Sequence, residues 1–111
     1  MNRQQLLLNI IFDKTAEWGE KDDALMDLAD YTDKFVEQGL VKFILDQEED
    51  ENLKTEATES LISIWIALNK FDLIEFTQLP NDYQKVVCEL LKRQKPDWIP
   101  IFEEAVGKKL R

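Results

Sequence analysis

The segment from Leu53 to Leu68 limits this chain more than any other. Leu53, Ala57, Leu61, Ile64, Trp65 and Leu68 recur at three- and four-residue steps, the spacing that aligns one face of an α-helix. From Leu61 to Leu68 the sequence is apolar almost all round, with only Ser63 interrupting. A helix that is apolar on every side must be covered on every side, so neighbouring helices are expected to sandwich it at the centre of the domain.

The rest of the sequence offers the covering helices. Leu7, Leu8, Ile11, Thr15 and Trp18 predict a first helix, stopped by Gly19 at its C-terminal cap. Asp22 is placed to cap a second helix with Leu25, Leu28, Ala29 and Thr32 on its inner stripe. A turn from Asp33 to Gln38, closed by Gly39, leads into an apolar helix over Leu40 to Leu45, and Gln47 to Asn52 reads as a solvated loop. Phe71 to Leu79 predicts a short helix ended by Pro80, after which Asn81 or Asp82 caps a helix bearing Tyr83, Val86, Val87, Leu90 and Leu91. Pro96 breaks that helix and Asp97 caps the last, with Pro100 in its first turn and Trp98, Ile101, Phe102, Ala105 and Val106 on its face. No stretch alternates with period two and no Asn-Gly or Asp-Gly hairpin signal occurs. The expectation is an all-α fold, one domain over residues 1–111 built from about six to eight short helices.

Composition narrows the chemistry. The chain has no histidine and one cysteine, which removes His-based triads, imidazole metal ligands, zinc–thiolate clusters and an internal disulfide framework. Cys88, in the run Val86 to Leu90, is expected to behave as a small buried hydrophobe. The loop Asp46 to Glu51 has oxygens at alternate positions, as a calcium loop does. Glu51 and Ala57 stand where an EF-hand needs glycine and a bidentate glutamate, so a solvated interhelical loop is the better reading. The carboxylate pairs Asp22/Asp23, Glu48/Glu49 and Glu103/Glu104 are adjacent in sequence and diverge on a helix, and Ser60 and Ser63 have no base partner. No enzyme, no cofactor and no metal is expected. The apolar run Leu6 to Phe12 is short, contains Asn9 and lacks a small-residue cleavage site, so neither a signal peptide nor a membrane span is expected, and a cytoplasmic location is the default.

Charge is the informative remainder. The net charge is −9, which opposes general nucleic-acid binding. Residues 13–59 hold 16 acids and 5 bases, a net −11, whereas residues 84–111 hold 7 bases and 4 acids, a net +3. Asp23, Asp27 and Asp30 share a helical face that Glu20 and Asp33 can extend at either end, Asp22 stands beside Asp23, and Glu48, Glu49, Asp50 and Glu51 lie in a loop of the adjoining helix pair. Two readings stay open for this ensemble: a solvated face that keeps the protein soluble, or a surface for a basic protein. Trp18 and Tyr31 adjoin the acids and suit interface anchors, Trp65 reads as core, and Trp98 is expected to pack the last helix down.

A weak repeat also runs through the chain. Leu40-Val41-Lys42-Phe43, Leu73-Ile74-Glu75-Phe76 and Ile99-Pro100-Ile101-Phe102 share an apolar-apolar-x-Phe pattern, each expected to start a helix. The stretch Phe35 to Leu45, the acidic loop, and Ala57 to Leu68 resemble an armadillo repeat, and the later copies are closer to a HEAT-like pattern. An irregular HEAT/armadillo-like stack is therefore expected, with an irregular helical bundle as the alternative. In size, charge and helical pattern the chain is similar to the small acidic immunity proteins of bacterial contact-dependent growth inhibition systems. That resemblance implies a monomer that neutralises a basic toxin domain, often a nuclease, by covering its active site in a one-to-one complex. The other readings are an armadillo-like peptide-binding adaptor, with contacts on Glu56, Glu59 and Ser63, or a small structural subunit of a larger complex.

Overall fold

A computed structural model describes residues 2–106, with side chains described through residue 104. Among these residues, seven α-helices and one 3-10 turn make up the regular structure: α1 (Arg3–Phe12), α2 (Trp18–Leu28), α3 (Lys34–Leu45), α4 (Glu51–Leu68), α5 (Leu73–Gln78), α6 (Asn81–Gln94), the turn Pro96–Trp98, and α7 (Ile99–Val106). No strand occurs among the described residues, so the expected all-α stack of short helices is what the chain forms. No helix among them is long and apolar enough to cross a membrane.

Helix α4 is the central element. It packs against α2, α3 and α6, while α1 closes over α2 and α3. Ala57, Leu61, Ile62, Ile64 and Trp65 are fully buried, which fits a helix that is apolar on all sides. The sandwich ends at Trp65: Ile66 is half-buried, and Ala67 and Leu68 are exposed where α4 outruns its neighbours. Asp50 starts the helix by accepting the Leu53 N–H at 3.0 Å, and Asn69 ends it in the left-handed conformation at φ 52°. Ser60 Oγ donates to the Leu25 carbonyl at 2.7 Å and ties α4 to α2 from within.

Several local expectations are corrected. The first helix stops at Phe12 rather than running to Trp18, because the Asp13 carboxylate captures both the N–H and the hydroxyl of Thr15 at 2.8 and 2.7 Å. Trp18 and Gly19 consequently begin α2, and the cap is a reciprocal pair between Glu17 and Glu20 rather than Asp22. Residues 34–45 form one continuous helix through Gly39, not a turn followed by a helix. The glycine is there for proximity: a Cβ on Gly39 would stand 2.6 Å from Leu8 Cδ2 of α1. Pro80, not Asn81 or Asp82, occupies the N-cap of α6, and Leu40 lies inside α3 instead of starting it.

The three phenylalanines of the apolar-apolar-x-Phe pattern all enter the core. Phe43, Phe76 and Phe102 are all buried, and Phe76 and Phe102 meet edge to face with centroids 5.1 Å apart. Trp98 is buried and meets Phe71 at 5.9 Å, so the last turn and α7 are anchored by this aromatic group as expected. The side chains of Ala105 and Val106 lie outside the described residues. Cys88 is half-buried against the core.

Candidate interaction surface

The acids expected on one face divide into two groups. At the far end of α2, Asp27 pairs with Arg3 of α1 at 3.0 Å, and Asp33 accepts from Gln4 at 2.7 Å. Asp23 and Asp30 are exposed and Tyr31 is half-buried against the core. At the near end, α2 lies along the acidic loop and the first turns of α4. Lys21, itself buried, reaches Glu49 at 3.2 Å, and Lys14 joins the same carboxylate at 3.7 Å while bonding Asp46 at 2.9 Å. The Lys14 bond, and then the Glu48 N–H, lower the Asp46 pKa.

Intramolecular duties therefore occupy several of the expected contacts. Glu20 accepts the Glu17 N–H, Glu49 binds two lysines, and Asp50 caps α4. The Leu53 N–H and then the Trp18 indole hold the Asp50 carboxyl below its usual range. Trp18 is 51% exposed, so one edge of its ring is fixed beside Asp50 and the rest faces solvent. Glu48 and Glu51 are exposed.

Two further acids belong to this surface. Glu56 of α4 is half-buried, and its pKa is raised by burial, then by the charges of Glu59 and Asp22. Asp22 of α2 thus shares a field with Glu56 and Glu59 of α4, two residues that the sequence placed in a different candidate surface. Among the described residues no ion pair reaches Asp22, Asp23, Glu56 or Glu59. Their i to i+3 spacing on α4 could have linked Glu56 to Glu59, but only the α2–α4 packing brings Asp22 to them.

A second charged cluster escaped the sequence reading. Glu37 of α3 and Glu75 of α5 are buried, as is Asp72 at the N-cap of α5, and their carboxylate oxygens lie within 4.8 Å of one another. This is the geometry of a cation cradle, and the cation in it is the Lys34 ammonium, 2.8 Å from Asp72 and 2.9 Å from Glu75. Those two bonds raise the Lys34 pKa. Burial pushes Asp72 upward, but the Lys34 bond and the Glu75 N–H outweigh it and leave the pKa lowered. Glu75 also accepts from Trp65 Nε1 at 2.9 Å. Elsewhere, a shallow depression of about 420 Å³ lies along α1 between Arg3, Leu6, Ile10 and Asp13.

Compared with protein-family models, curated proteins and solved structures, the chain finds no match.

Proposed function

We propose that this protein binds a basic protein through the acidic surface where α2 meets α4, and neutralises it as an immunity protein neutralises a toxin domain. The observation that carries this reading is the like charge of Glu59 and Asp22 acting on half-buried Glu56 where α2 packs on α4, with Asp23 exposed on α2 and, among the described residues, no cation paired to any of the four. Like charges gathered on a fold are unfavourable to it, and a cationic partner would turn that repulsion into attraction. Trp18, half exposed at the start of α2, supplies the apolar anchor beside the charges.

The mechanism is occlusion. Asp22, Asp23, Glu48, Glu51, Glu56 and Glu59 pair with the lysines and arginines by which a nuclease holds phosphate, in a one-to-one complex. Asp27, Asp30 and Asp33 form the outer margin, with Tyr31 beside them. Glu20, Glu49 and Asp50 set the local geometry, since each already serves the fold.

The test is affinity capture from the native host, with identification of the retained protein and an assay of its activity. Recovery of a basic toxin domain whose activity is blocked supports the reading. A second reading, a subunit of a larger assembly, draws support from the exposed apolar side chains Leu68, Leu73 and Ile74 where α4 gives way to α5. Recovery of such an assembly, without a basic toxin, would replace the first reading by the second.

A further inference from the structure

The Glu37 cluster holds more negative charge than its cation can balance. Three carboxylates, on Glu37, Asp72 and Glu75, are 3%, 6% and 4% exposed. Both bonds of Lys34 go to Asp72 and Glu75, and Lys70 reaches only Asp72, at 4.0 Å. The second Glu75 oxygen takes the Trp65 indole, and the second Asp72 oxygen takes the Glu75 N–H at 2.9 Å. Among the described residues, Glu37 is left facing Glu75 without a cation of its own. Two ionised carboxylates cannot share a dry site at this separation, whereas one proton between them converts repulsion into a hydrogen bond.

We propose that Glu37 and Glu75 share a single proton, and that this proton fastens α5 to α3, so that the docking of α5 weakens as the medium passes from mildly acidic to neutral. The groups facing Glu37 account for the direction. Lys34 on its own helix favours the charge, Glu75 and Asp72 from the α5 side oppose it, and α4 contributes only the neutral indole of Trp65. Burial first, and the bond to Glu75 second, push Glu37 up to about 7. Helix α5 is only six residues long, so it depends on Asp72, Glu75 and Phe76 for its place. Release of the shared proton removes one of those fastenings and sets two buried charges against each other.

The sign follows from linkage. Glu37 binds its proton more tightly with α5 docked than with α5 released, where it regains an ordinary value near 4.5. Opening of α5 therefore takes place with loss of one proton. Its opening constant rises by about tenfold per pH unit between about 5 and 7, then levels off.

Amide hydrogen exchange on the intact chain tests this, read at Glu75 and Phe76 and corrected for the intrinsic pH dependence of exchange. The wild-type protein should show that tenfold-per-unit rise and plateau, and Glu37→Gln, whose amide can donate to Glu75 without titrating, should be flat. A flat wild-type profile, or a variant that keeps the slope, overturns the proposal. Should Glu37→Gln fail to fold, carbon NMR of the wild-type Glu37 carboxyl decides instead: titration near 7 upholds the proposal and titration near 4.5 ends it.

Discussion

The indole Nε1–H of Trp65, on the central helix α4, donates to Oε1 of Glu75 on α5 at 2.9 Å. A tryptophan identified from periodicity as core is thus also a polar tether. Replacing it by phenylalanine keeps most of the apolar contact and deletes the donor to a buried carboxylate. The expected loss is about 1–3 kcal/mol in denaturant unfolding. Lys34→Met removes two charged hydrogen bonds from buried Asp72 and Glu75 and should cost at least as much, although the outer half of Lys34 is exposed. A Trp65→Phe protein as stable as the wild type would mean that the tether is idle.

Stability should pass through a maximum in mild acid. Glu37 has its pKa raised by burial and then by Glu75, and Glu56 by burial and then by Glu59 and Asp22. Their contribution is complete below about 4.5 and disappears as pH rises; for Glu37 the loss runs to about 7. Asp13, Asp46, Asp50 and Asp72 have lowered values, so their contribution is present above the ordinary 3.8 and disappears as pH falls. The predicted maximum lies just above pH 4, with a decline toward neutrality on the order of 2–3 kcal/mol from Glu37. Thermal melts across this range would contradict it by rising steadily to pH 7.

The two described glycines should respond in opposite senses. Gly19 lies in the first turn of α2 with nothing within 4 Å of an added Cβ, so Gly19→Ala should stabilise by about 0.5 kcal/mol. At Gly39 a side chain meets Leu8 between α1 and α3, and Gly39→Val should destabilise by about 1–3 kcal/mol. Chemical unfolding of the two variants checks both signs.

These glycines also mark where the sequence could be read and where it could not. The α4 stripe was legible because the three-to-four-residue period of Leu53, Ala57, Leu61, Ile64 and Trp65 is itself the burial pattern. The ends of helices were less so: Thr15 and Trp18 continue the phase of α1, yet one local bond from Asp13 ends it. Gly39 has the sequence signature of a turn, and only the closeness of Leu8 reveals a packing contact. The acidic character of α2 and of the loop between α3 and α4 was visible as composition. The meeting of Asp22 with Glu56, and of Lys34 with Asp72 and Glu75 some 40 residues away, exists only once the helices are stacked.

The proposed binding face is tested most directly by the rate of association with the basic partner recovered from the host, measured against ionic strength. The comparison is between the wild type and a variant carrying Asp22→Lys, Asp23→Lys, Glu56→Lys and Glu59→Lys. For the wild type the rate should fall by about tenfold or more between roughly 0.01 and 0.15 M salt, as screening shortens the reach of the field. The variant should associate slowly and be nearly indifferent to salt. Fast, salt-independent binding by both proteins would contradict the account.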